Sequence, residues 1–577
     1  MPGQPTAAEG PDAGMRVALA KGYERLPAWA DVLDRINLFP VADGDTGRNL
    51  VVSLAPLRDT SAPTEVLAKR LLLSARGNSG NIAVGFVTGL LRTSPDLGLA
   101  DRFAHGARLA RQAVADPQPG TMIDVLDAAA RAVGTDDANR VVDDLVRVVK
   151  ATTDRLDVLK QARVVDSGAL GMLAFFDGML HAITGNSSAR SLADDFGKLA
   201  DFTRDPSTAA GLHGCCLDAV LRLPKQVPLD RGALDRIGSE VVSMRDGDML
   251  KVHMHVDDVD GARAALQRLG EVLRWSWDDF ADQQRPAPAA AASGCVHVMT
   301  DGAASVSRND AEALGVTLLD NYLNVGEISV PESRISPDDE YSAIRRNVRV
   351  STSQASTFER HQHYERIAGH YQNVLYLCVG SVYTGNHDVA SAWTAEHPLG
   401  GRMVVVDSGA ASGRLAVVVW ATARRARSGE ARSAVEAFAR GALARAEEYI
   451  FPEKLEYLAR GGRMSNAGAF FADLLHVAPV ISPLPDGARK VAMVRKPEDR
   501  LGFACDRLDK ALAPTGGAGL VLLQYTDNRG WVEEHVAPCV RERFPRAECH
   551  VRPLSATTGA HTGPGTWAVA VLPGGEP

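Results

Sequence analysis

The amino-acid sequence predicts a multidomain protein in which an all-α N-terminal region precedes a small α/β region and a larger C-terminal α/β region. Three changes of pattern along the chain support this prediction. From Val17 to about Ile183, Ala, Leu and Val recur every three or four residues, the spacing of amphipathic helices. From Leu212 to about Arg274, helical and strand-like spacings are mixed. From residue 295 onward, short β-rich runs alternate with amphipathic helices, which is typical of an α/β domain with a largely parallel sheet.

The domain boundaries follow from segments that have no apolar periodicity. Residues 1–15 are polar and rich in Pro, Gly and Ala, and we expect a disordered tail there. Residues 281–294 are rich in Pro and Ala, which indicates a linker. These segments separate a helical domain (16–200), a middle domain (201–280) and a C-terminal domain (295–577).

Individual elements can be placed within these domains. The helical pattern is clearest at 18–38 and 141–159. In the C-terminal domain five runs have the composition of buried strands. They are Val296–Met299, Val374–Val379, Met403–Val406, Gly519–Leu523 and Trp567–Val571.

Composition narrows the class of protein. A chain of 577 residues is too long for one core, and 45% hydrophobic with 23% charged residues is ordinary for a globular protein. The net charge of −8 gives no basic footprint for nucleic acid. No apolar run reaches the roughly 18–20 residues of a membrane span. Seven cysteines, an odd number, do not suggest a disulfide framework, so we expect the reducing cytoplasm.

The densest group of polar residues is the segment NLFPVADGDTGRN, residues 37–49. Asp43 and Asp45 flank a glycine, so a tight turn can direct both carboxylates to one point, and Asn37 lies six residues before the first of them. Hard oxygen ligands of this kind suit Mg²⁺ that bridges nucleotide phosphates. The alternative is a surface Asx-turn, since Asp-Gly-Asp also favours turns for local reasons. The motif by itself leaves both open.

Three further loops lead into apolar runs. They are Arg76–Asn81 (RGNSGN), Gly120–Met122 (GTM) and Val165–Gly168 (VDSG). A helix that starts after such a loop offers free backbone N–H groups and a favourable dipole to phosphate. Each loop alone is also explained as an ordinary helix cap.

Taken in order, NLFPVADGDTGRN, SARGNSGNI, PGTM and VVDSGALG resemble the ATP-binding L-subunit domain of dihydroxyacetone (glycerone) kinases, and more closely the kinase component of bacterial fatty acid kinase. The resemblance spans about Val17 to Ile183. It implies an antiparallel helical barrel that binds ATP and Mg²⁺ at one end, with Asn37, Asp43 and Asp45 as metal ligands. The residues that it assigns to the nucleotide are Thr46, Asn49, Ser79, Gly80, Thr121, Met122, Asp166 and Gly168. The chain departs from the family pattern at Ala42, where proline is usual, and at Arg48, where threonine is usual.

The middle domain contains a candidate zinc site. Lys251–Asp257 (KVHMHVD) alternates like a strand, so His253 and His255 share one face, and Cys216 lies upstream. Two such histidines and a thiolate suit Zn²⁺, although exposed strand histidines are also common. The segment resembles the middle domain of the same kinase. That resemblance implies Cys216, His253 and His255 as zinc ligands in a structural or positioning site, with Cys215 as a substitute.

The C-terminal domain carries four separated polar motifs, and each is also explained singly as a capped turn. Hydroxyls, an arginine and a histidine that converge in an apolar domain would bind a carboxylate. The motifs are STSQAS (351–356), GSVYTG (380–385), LARGGRMS (458–465) and GAHTGPG (559–565). Over about Gly294 to Pro573 they resemble the DegV family, which implies a fatty acid between two subdomains. The implied carboxylate contacts are Thr352, Ser381, Arg463 and His561, and Ala355 replaces a usual proline.

Together the resemblances imply ATP-dependent phosphorylation of a bound fatty acid, with acyl phosphate as the product for phospholipid synthesis. The implied catalytic residues are Asp43, Asp45, Arg463 and His561. The expected partners are a fatty acid, ATP, Mg²⁺, structural Zn²⁺, a downstream acyltransferase, a transient membrane surface and a second copy in a homodimer. Two alternatives are a dihydroxyacetone-type kinase for a small ketone and a lipid carrier or sensor without catalysis.

Overall fold

The computed structural model describes residues 13–574 except for 135–136, 185–190, 205–213, 225–230, 281–295, 455, 462–477 and 495–498. The predicted tail, apart from its last residues, and the predicted linker lie outside the described residues. The chain forms two compact units, residues 1–287 and 288–577. No described helix is both long and apolar enough to pass through a lipid bilayer.

The first unit begins with a closed ring of seven helices. The ring consists of α1 (Ala13–Arg35), α2 (Thr46–Leu54), α4 (Gly77–Arg92), α5 (Leu99–Ala113), α6 (Met122–Ala132), α7 (Ala138–Ala151) and α9 (Ser167–Thr184). Each helix packs against the next, and α9 returns to α1. The central helix α9 is buried from Ser167 to His181, because its sequence is apolar on all sides. Short helices outside the ring are α3 (Thr64–Ser74), α8 (Asp157–Ala162) and α10 (Ala193–Phe196). The helical barrel is therefore present.

A small antiparallel sheet follows in the same unit. Its strands lie in the order β2 (Ser239–Asp246), β3 (Met249–Val256), β1 (Cys215–Arg222) and β4 (Glu271–Asp279). Two helices accompany it, α11 (Arg231–Asp235) and α12 (Val259–Leu269). The apolar face of the sheet packs around Leu217, Val252 and Leu266. Strands β2 and β3 contact helix α4 of the ring, so the sheet and the start of α4 form one packed structure.

The second unit contains a parallel four-stranded sheet of β11 (Met403–Asp407), β10 (Val374–Cys378), β5 (His297–Asp301) and β6 (Thr317–Leu319), in that order. Beside it is an antiparallel sheet of β8 (Ile328–Pro331), β7 (Tyr322–Val325) and β9 (Val350–Ser353). The helices of this part are α13 (Arg308–Leu314), α14 (Pro337–Arg345), α15 (Thr357–His370) and α16 (Asn386–Glu396).

A six-stranded mixed sheet completes the second unit. Its order is β14 (Gly487–Val494), β13 (Ala478–Leu484), β12 (Glu447–Phe451), β17 (Trp567–Pro573), β15 (Gly519–Tyr525) and β16 (Ala547–Pro553). Its helices are α17 (Ser412–Ala426), α18 (Arg432–Arg445), α19 (Glu456–Gly461), α20 (Asp499–Leu512), α21 (Arg529–Trp531), α22 (Ala537–Arg543) and α23 (Ala556–Thr562). Helix α17 shares a core cluster with Leu375 of the parallel sheet and Leu520 and Leu572 of the mixed sheet.

The five predicted strands are present, as β5, β10, β11, β15 and β17. The prediction of a largely parallel sheet is wrong for the mixed sheet, in which only β15 and β16 run parallel. Alternation of apolar residues marks a strand but does not encode the direction of its neighbour, so the sequence pattern could not reveal this difference.

Candidate functional site

The acidic turn is held by an asparagine and an arginine. The carboxamide oxygen of Asn37 accepts hydrogen bonds from the backbone N–H of Asp45 (3.1 Å) and Thr46 (3.3 Å). The Arg204 guanidinium donates to the carbonyls of Ala42 (2.6 Å) and Asn37 (3.0 Å). Asn37 therefore shapes the turn in this structure, and its expected role as a metal ligand would require its oxygen to give up one of these bonds.

Asp43 and Asp45 converge as the sequence predicts. Their carboxylates and the Cys216 thiol lie within 4.8 Å of one another, with Cys216 Sγ 4.0 Å from Asp43 Oδ2. Burial, followed by repulsion from Asp45, raises the pKa of Asp43 well above its usual value. Burial also raises the pKa of Asp45. Two carboxylates in this position are stabilised by a cation between them, so the residues fit a hard divalent ion such as Mg²⁺.

Four helix N-termini meet beside this acidic pair, those of α2, α4, α6 and α9. The Ser167 hydroxyl donates to Thr46 Oγ1 (3.0 Å), and Thr46 Oγ1 lies 3.5 Å from Ser79 Oγ. A cavity of about 710 Å³ opens among these helices, and five of the predicted nucleotide residues line it. They are Ser79, Thr121, Met122, Asp166 and Gly168. Backbone N–H groups at helix starts favour phosphate, so this cavity suits a nucleotide.

The other predicted nucleotide residues support the cavity rather than line it. Asn49 is buried and packs against Gly77. Its hydrogen bond to Asp45 lowers the pKa of that carboxyl and so opposes the effect of burial. Gly80 lies so close to α2 that a Cβ there would be 2.1 Å from Ser53 Oγ. Asp166, which does line the cavity, also caps α9 by accepting from the Ala169 N–H at 2.8 Å. Burial raises its pKa to about 7.

The three predicted zinc ligands also come together. In the sheet Cys216 is the register partner of His255, and His253 is the partner of Asp218 on the same face. All three side chains are buried and their donor atoms lie within 4.8 Å of one another. Burial lowers the pKa of His255 to about 3, which keeps its ring neutral. Neither ring nitrogen of His253 has a hydrogen-bond partner among the described residues. One sulfur and two imidazoles with an unsatisfied nitrogen fit zinc.

Cys215, named as a substitute ligand, lies on the opposite face of β1. It belongs to the apolar core of the middle sheet, because adjacent strand residues point to opposite faces. The structure also joins the two predicted metal sites, since Cys216 belongs to both groups of ligands. The sequence predicted them as separate sites.

Sequence reasoning missed several residues around this cluster. Asp218 contacts Lys251 Nζ at 2.8 Å, and residues 235–242 of the middle domain line the cavity beside the acidic pair. The sequence did contain a signal for them, because residues two apart on a strand share a face. Asp218 therefore lies on the same face as Cys216, and Lys251 lies on the same face as His253. Arg48, the unusual residue of the acidic turn, lies with its guanidinium 3.6 Å from Asp278 of β4.

The second unit contains a mainly apolar cavity of about 240 Å³. Of the predicted carboxylate contacts, Thr352 at β9 and His561 in α23 line it. Ser381 does not, because its exposed hydroxyl donates to Asp407 at 2.5 Å. Arg463 lies outside the described residues. The polar lining residues that sequence reasoning did not assign as contacts are Asn321, Ser353, Gln354, Tyr383, Thr384, Ser412, Thr557, Thr558 and Thr562.

The N-terminus of α17 reaches the same cavity through Ser412. Glu448 already occupies this helix terminus, accepting from the N–H groups of Gly413 (3.0 Å) and Arg414 (2.9 Å). Burial raises the pKa of Glu448 to about 7. The first N–H groups of α17 are therefore bound within the protein.

Two family models match the chain. The DAK2 domain matches residues 40–181, and the model described as an uncharacterised protein of the DegV family matches residues 295–574. Uncharacterised proteins of Staphylococcus epidermidis and Staphylococcus aureus are 27% and 28% identical over 304 and 303 residues, which is 46% of this chain and 54% and 55% of theirs. The chain spans about half the length of these curated relatives.

Solved structures with similarity to the chain include DegV, a fatty acid binding protein from Bacillus subtilis (18% identity, TM-score 0.44), which is covered over 99% of its length by 48% of this chain. The fatty acid kinase (Fak) B3 protein of Streptococcus pneumoniae, loaded with linoleic acid, is 16% identical with a TM-score of 0.41 and the same coverage. From the two family models we conclude that residues 40–181 form a DAK2 domain, that residues 295–574 form a DegV family domain, and that this chain joins the two in one polypeptide.

Proposed function

We propose that this protein transfers the γ-phosphate of Mg·ATP to the carboxylate of a fatty acid bound by its DegV domain. The products are an acyl phosphate and ADP. The observation that carries the proposal is the pair Asp43 and Asp45, whose carboxylates converge beside a cavity lined by three nucleotide motifs of the DAK2 domain. The ligand class is the one implied by the resemblance to the DegV family, and the apolar cavity with Thr352 and His561 supports it.

The reaction needs no general base to create its nucleophile. A carboxylic acid with a reference pKa of about 4–5 is ionised near neutral pH. One carboxylate oxygen forms a bond to the γ-phosphorus, the bond from that phosphorus to the β,γ-bridging oxygen breaks, and ADP leaves. The obstacle is repulsion between the carboxylate and the triphosphate.

Residues of the chain offset this repulsion and orient the fatty carboxylate toward the γ-phosphate. Asp43 and Asp45 would hold the Mg²⁺ of Mg·ATP, which supplies positive charge against the phosphate oxygens. The N-termini of α4, α6 and α9 direct backbone N–H groups toward the cavity. Thr352 and His561 orient the fatty carboxylate, and the sequence resemblance adds Arg463 to them. Cys216, His253 and His255 would hold Zn²⁺ next to the acidic pair, and a metal bound there would tie the middle sheet to the turn.

Retention of the lipid follows from its acyl chain. Burial of each CH₂ contributes about 0.8 kcal/mol, so an apolar cavity can hold a long chain against water. Because an acyl phosphate is an activated acyl donor, an acyltransferase of phospholipid synthesis is the expected consumer of the product.

The test is direct detection of the product. Purified protein is incubated with Mg·ATP and oleate, and hydroxylamine converts any acyl phosphate into oleoyl hydroxamate for mass spectrometry. We expect hydroxamate only when Mg²⁺, ATP and oleate are all present, and a loss of at least about 100-fold in Asp43→Asn and Asp45→Asn. The control is Asp59→Asn, a carboxylate of the same domain that pairs with Arg70 away from the turn.

Two outcomes would contradict the proposal. Phosphorylation of dihydroxyacetone in place of oleate would make the protein a small-ketone kinase. Fatty acid that co-purifies with the protein, with no ATP turnover in its presence, would make it a lipid carrier.

A further inference from the structure

Asp218 is a buried acid that the proposed reaction does not use. It lies on β1, two residues after Cys216, with only 8% of its surface exposed. The carboxylate lies between the start of helix α4 on one side and strand β3 on the other. It therefore touches both the nucleotide loop and the strand that carries the two histidines.

On the first side, Asp218 holds the loop that opens α4. Its Oδ2 accepts a hydrogen bond from the Gly77 N–H at 3.1 Å, and its Oδ1 accepts from Asn81 Nδ2 at 3.4 Å. Gly77 is the first residue of α4, with φ of +59°, and a Cβ there would lie 1.9 Å from Asn49 Nδ2. The start of α4 is thus fixed between Asp218 and Asn49, two residues before Ser79 in the nucleotide cavity.

On the second side, Asp218 faces two cationic or polar groups of β3. Lys251 Nζ lies 2.8 Å from Oδ1, and His253 Nδ1 lies 3.3 Å from Oδ2. Both side chains are buried. Lys251 therefore supplies a positive charge next to this buried carboxylate. The contact to His253 has an ion-pair distance but not the geometry of a hydrogen bond.

We propose that Asp218 is a positioning residue that couples the nucleotide loop to His253, so that binding of Mg·ATP and the placement of His253 depend on each other. This inference rests on the proposed function, because it assumes that the loop holds a nucleotide. A shift of Gly77 and Asn81 on binding moves the carboxylate that they share with His253. The middle domain thereby acts on the nucleotide site through β1, a strand that does not line the cavity, in addition to the direct lining by residues 235–242.

The chain offers a matched control. Arg92 at the other end of α4 pairs with Asp246 of β2 at 2.6 Å, so this pair also joins the helix to the middle sheet. It touches neither the nucleotide loop nor His253. Asp246→Asn therefore removes an acidic contact between the same two elements without touching the coupling.

The experiment measures the affinity for Mg·ATP by calorimetry in the full chain. The wild type is measured first, and absence of binding would refute the proposed function itself. The main variant is Asp218→Asn/Lys251→Met, which removes both charges, because a buried ion pair can often be replaced as a unit while loss of one partner leaves an uncompensated charge. Asp218→Glu, which keeps the charge beside Lys251, serves as the second variant should the first not fold.

We expect the Asp218 variants to bind Mg·ATP at least about five-fold more weakly than the wild type, and Asp246→Asn to bind like the wild type. The coupling is then measured by introducing His253→Ala into the wild type and into each Asp218 variant and determining the affinity for Mg·ATP again. His253→Ala should change the affinity for Mg·ATP in the wild type and leave it unchanged in the Asp218 variants. A nucleotide affinity that is unaffected by the Asp218 variants, or a His253→Ala effect of equal size in both backgrounds, would overturn the inference.

Discussion

The two candidate sites of this protein are built on opposite principles. The site of the first unit gathers ionisable groups, among them Asp43, Asp45 and His255, whose pKa values burial shifts away from their usual range. The cavity of the second unit is mainly apolar, and its polar lining consists of hydroxyl and carboxamide side chains and one histidine. Converging buried carboxylates fit a cation, whereas a mainly apolar lining fits a hydrocarbon. Variants of the two sites should therefore fail in different ways.

The largest effect that separates the sites is expected at His561. Removal of a hydrogen bond to a charged group costs about 1.5–3 kcal/mol, so His561→Ala should weaken fatty acid binding by roughly 10- to 100-fold. Displacement of a fluorescent fatty acid measures this affinity, while the affinity for Mg·ATP should stay unchanged. The control His535→Ala alters an exposed histidine that stacks on Trp531 in the same unit. Equal binding in His561→Ala and His535→Ala would contradict the assigned role.

A pH-dependent effect is expected at Asp166 in the first unit. Its folded-state pKa of about 7 lies above the unfolded value, so its contribution to stability is present at low pH and is lost as the pH rises through about 7. Asp166→Asn mimics the neutral acid and keeps the oxygen that caps α9. Without nucleotide, its gain in unfolding free energy over the wild type should grow by roughly 1.4 kcal/mol per pH unit up to about 7. Denaturant unfolding at pH 5 and pH 8 measures this, and an equal gain at both pH values would be the contrary result.

The smallest effect is expected at Arg48. Its guanidinium and Asp278 are both substantially exposed, and ion pairs of this kind contribute about 0–1 kcal/mol. Arg48→Thr, which restores the residue usual in the resembling family, should shift the melting temperature by only a few degrees. Differential scanning fluorimetry tests this. A much larger loss of stability would show that Arg48 holds the acidic turn in place.

The sequence predicted the ligands of each cluster better than their assembly. Asp43 and Asp45 were recognisable from a tight turn, and His253 and His255 from the period of a strand, because these relations are local. The meeting of Cys216 with Asp43 joins residues 173 positions apart and depends on how β1 packs against the helical ring. No local pattern encodes such packing. The strand period places Asp218 on the face of Cys216 and Lys251 on the face of His253, but it does not show that these two side chains meet each other.

In the second unit, too, predictions from local patterns were confirmed, whereas one prediction about the placement of a loop side chain was wrong. The strands were found because buried β-branched runs are local signals. Thr352 and His561 were placed in one cavity by the order of motifs in a family resemblance. Ser381 was assigned to the same cavity on that basis, but a neighbouring acid, Asp407, binds its hydroxyl at the surface. Which way a loop side chain points depends on its nearest partner, and a motif does not show that partner.

Helix α17 has a consequence for how a lipid could enter the second unit. Because one buried helix packs against both the parallel and the mixed sheet, those sheets share a single interior and should lose their structure together. Parting them would expose that interior to water. Access to the cavity must then come from rearrangement of the chain at its rim, and the route should be sought among loops rather than in a hinge between halves.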